Sequence, residues 1–373
     1  MEDVRIYVHI PFCKSKCQYC DFNSYDNKNY LIDSYINCVL DEIDIQYSTI
    51  KNRNITSIFL GGGTPSYLKP HLIRSILHHL PFDRNTEVTI EVNPGTIDRD
   101  KLESYLDMGI NRISFGVQSL NDQLLRLMGR VHTRETALSN IKMAKEVGFT
   151  NISADLMMGY PLQSFEIYEE TLHTMIELDM QHLSCYSLKV EENTPLDRMI
   201  KRKMLPEPKD ELDRKMYHFT ERILKENDIL QYEISNYARK GFECKHNMGY
   251  WELDEYLGFG ISAHSYFKGK RFHNTESITD YIHDIKEKRL TRFDEEVIDA
   301  NESRKEFIIL GLRLNKGLNI EKFNEKYDSD FMNDYKTAIE KCLKDQVISI
   351  KNNVVVLTKL GKDFANSVFT EFM

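Results

Sequence analysis

The chain has no apolar run long enough to cross a bilayer, which excludes a membrane-spanning helix. Its first residues lack the basic stretch and apolar segment of a secretory signal, so a cytoplasmic location is expected. A basic excess is missing too: 49 Lys and Arg stand against 58 Asp and Glu, and a formal charge of −9 argues against a general nucleic-acid binder. Tryptophan occurs once, at Trp251, and of seven cysteines only three are clustered. Cys38, Cys185, Cys244 and Cys342 are scattered, which suits a reducing compartment and not a disulfide scaffold. What remains is an ordinary soluble composition, 41% hydrophobic and 29% charged over 373 residues, large enough for one big domain or two.

Against this background the stretch Cys13-Lys-Ser-Lys-Cys17-Gln-Tyr-Cys20 is dense, with three thiols at C-x3-C-x2-C spacing directly after the strand-like run Ile6–Ile10. Three thiolates in one short loop can hold three corners of an iron–sulfur cube and leave the fourth iron open to a small molecule. The alternative is a zinc tetrahedron whose fourth ligand comes from His9, Asp21 or a distant cysteine. Spacing favours the cluster, because zinc sites are usually built from two separated pairs.

Downstream, short β-branched runs alternate with amphipathic stretches. Strands are expected at 55–60, 87–92, 112–117, 151–156 and 182–188, and helices at 30–50, 70–80, 98–108, 122–128, 134–147 and 165–178. Counting the N-terminal run, this is a parallel βα array of six strands. A closed eight-fold barrel needs about 250 residues of such repeats. The regularity ends after Leu188, so the expected fold is α/β, an open (β/α)6 partial barrel. Its working face lies at the C-terminal strand ends. There fall the cysteine loop, Gly61-Gly62-Gly63-Thr64-Pro65-Ser66, Glu91 with Asn93, Gln118 and Asp155.

Past the barrel the texture changes to an α+β extension, with a helix at 210–227, a strand at 232–237, a polar-aromatic loop at 244–251 and a glycine-punctuated turn at 257–265. Residues 301–373 read as helices at 304–314, 319–327 and 331–344, a ribbon of 347–351 and 354–357 turning at Asn352-Asn353, and a last helix from Leu360. That is a winged-helix-like pattern. Its 12 Lys and Arg against 11 Asp and Glu leave no footprint for phosphates, so a docking or lid role is expected in place of DNA binding. The expected domains are therefore 1–190, 191–300 and 301–373.

The cysteine spacing followed by Gly61–Ser66 resembles the radical SAM superfamily, and the resemblance narrows to the anaerobic coproporphyrinogen oxidase branch and, within it, to the HemW-type heme chaperones. It is carried by His9-Ile-Pro-Phe-Cys13, Tyr19-Cys20-Asp21-Phe22, Glu91-Val-Asn-Pro94, Gly116-Val-Gln-Ser119, Gly129-Arg130, Asp155-Leu-Met-Met-Gly-Tyr-Pro161 and His246-Asn-Met-Gly-Tyr-Trp251, and it runs over nearly the whole chain. The resemblance implies a [4Fe-4S] cluster on Cys13, Cys17 and Cys20 whose open iron chelates S-adenosylmethionine, with one-electron cleavage of a carbon–sulfur bond to a 5′-deoxyadenosyl radical. It implies cofactor contacts from Tyr7, Tyr19, Phe22, Gly62, Gly63, Thr64, Glu91, Gln118, Arg130 and Asp155. It also implies heme contact at His246, with Cys244 as a rival iron ligand. No residue is assigned a catalytic role.

Two departures separate the chain from the oxidase. That enzyme has a fourth cysteine two residues after the third, where this chain has Phe22, and it carries a longer N-terminal segment. Both disfavour decarboxylating chemistry on a porphyrinogen. The expectation is thus heme binding and delivery to apo-hemoproteins, respiratory enzymes among them, with an oxygen-independent coproporphyrinogen III oxidase as the alternative and enzymatic turnover left open. The partners implied are heme, its recipients and a flavodoxin- or ferredoxin-type electron donor. Nucleic acid is not among them, and a membrane is met only through the recipients.

Overall fold

The computed structural model describes residues 2–373. Six parallel strands form its centre: β1 (Asp3–Ile10), β2 (Asn54–Gly62), β3 (Glu87–Val92), β4 (Arg112–Gln118), β5 (Ile152–Met158) and β6 (His182–Ser187), paired in sequence order. Helices α1 (Ile32–Ile50), α2 (Pro70–His78), α3 (Arg99–Asp107), α4 (Asp122–Leu127), α5 (Arg134–Val147) and α6 (Phe165–Glu177) fill the crossovers. Asp98, expected as a helix start, accepts from the Lys101 N–H at 2.9 Å and caps α3.

Strand alternation explains why the array curves around a polar interior. Ile6, Val8 and Ile10 of β1 are fully buried in one apolar core with Tyr35, Ile36 and Val39 of α1, and the same core takes Ile58 and Leu60, Val88 and Ile90, Ile113 and Phe115, and Leu183. The intervening residues point to the other face because side chains alternate with a period of two. They are Arg5, Tyr7 and His9, then Ser57, Glu87, Glu91, Arg112, Ser114, Ser153, Asp155 and His182, and they line the concave side.

Beyond the barrel the structure departs from the sequence reading in four places. β1 is not an edge, because β9 (Tyr256–Phe259) pairs parallel to it. The glycine-punctuated turn is that strand together with the start of β10 (His264–Phe267), which leads antiparallel through β11 (Lys270–Asn274) to β12 (Arg292–Val297). The strand at 232–237 is two shorter pieces, β7 (Leu230–Gln231) and β8 (Asn236–Ala238), which extend the opposite edge beside β6. The polar-aromatic loop is a helix: after α7 (Pro195–Lys201) and α8 (Asp210–Glu226), α9 spans Lys245–Trp251. Helix α10 (Ile278–Lys286) packs on α1 outside the sheet.

The C-terminal part has its own apolar core, Ile308 to Phe372, built on α11 (Ala300–Arg313), α12 (Ile320–Tyr327), the pair Phe331–Asp334 and Lys336–Lys344, and a ribbon of Ile348–Lys351 with Val354–Leu357. The ribbon turns at Asn352 and Asn353 with φ of 51° and 59°, the left-handed pair a tight hairpin requires.

Candidate cluster and cofactor site

The cysteine loop leaves β1 and is stapled shut at its base, where the Cys13 N–H donates to Tyr25 O at 2.9 Å and the Tyr25 N–H to Pro11 O at 2.7 Å. Its far side is tied down by Gln18, whose N–H donates to Met128 O and whose carbonyl accepts from Leu196. Beneath it lies a small apolar cluster of Leu124, Met128, Met157, Tyr160, Leu196 and Leu205, on which Tyr19 packs edge-to-face with Tyr160 at 6.3 Å. The loop is held by tertiary contacts and not by its own turns.

Cys13, Cys17 and Cys20 line one cavity of about 140 Å³ at the C-terminal strand ends, and Tyr19, Phe22, Gly62, Gly63, Thr64, Glu91, Gln118, Arg130 and Asp155 line it with them. Every residue in the expected cofactor set is gathered there except Tyr7 and His246. Among the described residues no three His, Cys, Asp or Glu side chains converge on one point as a single ion requires. Thiols spread around a cavity instead fit a polynuclear cluster, whose irons take one sulfur each. Burial pushes the Cys13 thiol up and the Cys20 thiol up to about 11, so a cluster bound there would displace protons.

The polar groups around the thiols are prearranged. The Thr64 hydroxyl donates to Cys13 Sγ at 3.6 Å and to it the Asn93 amide donates at 2.9 Å. Arg130 donates from Nη1 to Cys17 Sγ at 3.4 Å and from Nη2 to Asn93 Oδ1 and the Gly116 carbonyl, while its buried Nε has no partner among the described residues. An unpaired guanidinium N–H in a closed pocket leaves a donor for an anionic group. Gln118 ends β4 with φ of 65°, a left-handed conformation that costs energy outside glycine and marks a functional loop more often than a packing one. Gly62 and Gly63 make their close approaches to this chain's own atoms. A Cβ on Gly63 would stand 3.0 Å from Cys13 Sγ, and Gly62, at φ of 110°, lies against the His9 ring.

Two carboxylates face each other across the floor. Burial, reinforced by the charge of Asp155, pushes Glu91 up to about 8, and burial raises Asp155 as well against the hydroxyl of Ser184 and the charge of Arg112. The Gly62 N–H donates to Glu91 at 3.1 Å and the Ser114 hydroxyl to Asp155 at 3.2 Å. Such a pair is poised to pay its desolvation cost when a cation arrives.

Tyr7 and His246 lie elsewhere. His246 is buried on α9 with both ring nitrogens engaged, Nδ1 with Ser57 Oγ at 2.9 Å and Nε2 with Tyr250 Oη at 2.8 Å. As an iron ligand it is therefore unavailable in this conformation, and Cys244, fully buried with its Sγ donating to Glu87 at 3.5 Å, is no more accessible. Helix α9 is a plug. Glu87 on β3 accepts from the N–H groups of Lys245 at 3.1 Å and His246 at 3.2 Å, and Gly249 lets the helix sit on Arg5, whose Nε would lie 1.8 Å from any Cβ there. His9, weighed as a fourth metal ligand, is likewise bonded twice, to Tyr7 Oη at 3.0 Å and Asn23 O at 2.8 Å. Tyr7 and Phe22 also border a second cavity of about 650 Å³ that runs alongside β9 and β10 and reaches Leu310 of α11. Sequence reasoning missed this cavity because β10 and β11, which supply His264, Tyr266 and Arg271 to it, carry no strand pattern in the sequence.

Comparison with known proteins identifies the family. Residues 7–175 match the radical SAM superfamily and residues 298–364 the HemN C-terminal domain. The heme chaperone HemW of Bacillus subtilis (strain 168) is 35% identical over 98% of this chain and 98% of its own length. Its counterpart from Lactococcus lactis subsp. lactis (strain IL1403) is 32% identical over 98% of this chain and 96% of its length. In fold, the coproporphyrinogen III oxidase HemN from Escherichia coli superposes with a TM-score of 0.88 over the whole chain and 90% of that protein, at 23% identity. Full-length similarity at this level places the chain in the radical SAM superfamily and, within it, in the HemW family.

Proposed function

We propose that the protein is a heme chaperone: it binds heme and hands it to apo-hemoproteins, respiratory enzymes among them, from the cytoplasm. The observation that carries this reading is similarity to heme chaperones along 98% of the chain, taken with Phe22 at the position where the oxidase resemblance calls for a further cysteine. Cys13, Cys17 and Cys20 would hold a [4Fe-4S] cluster, and Gly62–Thr64, Glu91, Gln118, Arg130 and Asp155 would seat S-adenosylmethionine beside it. When bound, these groups supply a one-electron reductant and a carbon–sulfur bond that accepts the electron. Arg130 fixes the Cys17 sulfur and offers a free N–H to the methionine carboxylate, and Glu91 with Asp155 balances the cationic charge of the ligand. The electron comes from a flavodoxin- or ferredoxin-type carrier, and contact with a membrane is made through the recipients.

The test pairs two measurements on anaerobically reconstituted protein. Hemin titration should give a saturable Soret band at micromolar protein, and heme should pass to an apo-hemoprotein on mixing. In parallel, coproporphyrinogen III with S-adenosylmethionine and a one-electron reductant should not turn over. Catalytic formation of protoporphyrinogen, or no heme bound, would overturn the reading.

A further inference from the structure

Resting on the chaperone reading, we infer that heme is carried in the larger cavity beside β9 and β10, with the imidazole of His264 as the ligand to its iron. The volume of about 650 Å³ falls in the range of small-molecule and cofactor pockets. Its walls carry the flat aromatic surface a macrocycle stacks on: Tyr7, Tyr250, Trp251, Tyr256 and Tyr266. The indole N–H of Trp251 has no partner among the described residues, which leaves a donor for a propionate.

The imidazoles discriminate sharply. Two line the cavity, His9 and His264. Both nitrogens of His9 are taken by Tyr7 and Asn23. His264 is exposed on β10, and among the described residues neither of its ring nitrogens has a hydrogen-bond partner. A free nitrogen is what ligation to heme iron needs. The His246-Asn-Met-Gly-Tyr-Trp251 helix then contributes through its other end: Tyr250 and Trp251 form wall, and His246 fixes the Tyr250 hydroxyl from behind.

The cavity also adjoins the cysteine pocket through one side chain. Phe22, 61% exposed, borders both cavities, so a macrocycle lying against it would have its edge next to the cluster pocket.

The experiment is a hemin titration of the anaerobically reconstituted full chain, followed by the Soret band. His264→Ala should shift the Soret maximum and weaken binding by at least ten- to a hundredfold, roughly the loss seen when even an outer partner of a metal ligand is removed. Its cluster absorption should be unchanged. His264→Gly supplemented with free imidazole should recover the wild-type spectrum, which a merely structural histidine would not do. Leu310→Trp, which fills the cavity from the far wall, should also weaken heme binding while the cluster absorption stays. Wild-type protein that binds heme while both His264 variants keep its spectrum and affinity overturns the site and leaves the chaperone reading standing. Wild-type protein that binds no heme overturns both.

Discussion

The paired carboxylates of the cysteine pocket lead to a pH dependence with a definite sign. With Glu91 held at about 8 by burial and by Asp155, its ionised fraction is ~1% at pH 6, ~10% at pH 7 and about half at pH 8. S-adenosylmethionine carries a permanent sulfonium charge, which an ionised Glu91 stabilises beyond what the charge of Asp155 already supplies, so binding favours loss of the Glu91 proton. Affinity should rise with pH by at most about tenfold from 6 to 7 and roughly fivefold more from 7 to 8, and level off above that. Water in the cavity reduces the slope but does not reverse it.

The perturbation is Glu91→Gln, which keeps the shape and the acceptor for the Gly62 N–H but cannot ionise. Equilibrium dialysis of S-adenosylmethionine against the reconstituted protein should be run from pH 6 to 9. Because the ligand's own α-amino group titrates near 8, wild type and variant share whatever slope the ligand contributes. The difference between the two curves isolates Glu91. That difference should grow with pH, by at most about fiftyfold from pH 6 to pH 8, and it should shrink for S-adenosylhomocysteine, which lacks the sulfonium. Parallel curves for wild type and Glu91→Gln would refute the electrostatic role.

Other outcomes follow from the same geometry. Cys13→Ala, Cys17→Ala and Cys20→Ala should each abolish the broad visible absorption of the cluster, and stoichiometric zinc in place of iron in the anaerobic wild type would sink the assignment. Gly63→Ala should deplete the cluster without unfolding the chain, since its methyl would press on Cys13 Sγ at 3.0 Å; iron content against circular dichroism separates the two effects. Gly249→Ala sets a methyl 1.8 Å from Arg5 Nε, which donates to Lys245 O at 3.2 Å in a guanidinium whose Nη1 is paired with Asp254 at 2.6 Å, and should cost at least about 1–3 kcal/mol in chemical denaturation. His246→Ala removes two buried hydrogen bonds and leaves a cavity, so a loss of about 2–5 kcal/mol is expected, with the Soret band of the folded protein unmoved.

How much of this was legible in the sequence depended on the range of the interactions involved. The six barrel strands could be read because each is an apolar run whose partner is the next strand along, and the cysteine site because ligand spacing is local. β9 was hidden: it has a glycine at its centre, Gly258, and it is a strand only because β1 lies beside it, about 250 residues away in sequence. β12 has every residue exposed and so no alternation to detect. Helix α9 has seven residues, too few to show a period, and its N-terminus is satisfied by Glu87 from β3 and not by a capping residue of its own. The family motif there was recognisable while its secondary structure was not.

That motif also shows why a histidine in a (β/α) barrel is a poor guide to ligation. Three of them face the polar interior, and each is bonded at both nitrogens: His9 as above, His182 to Ser153 at 2.8 Å and Tyr232 at 2.9 Å, and His246 to Ser57 and Tyr250. Burial pushes His246 down to about 3, with Arg5 and Arg112 adding to it, and lowers His182 well below the usual range. A neutral imidazole has one donor and one acceptor, and it can join two hydroxyls across a narrow interior without placing a charge there. Within the barrel, then, imidazole works as a neutral bridge between strands and the plug helix. Coordination needs a nitrogen free of such a duty, and of the two imidazoles bordering the larger cavity that leaves His264, on a strand paired with β11 and outside the six-stranded barrel.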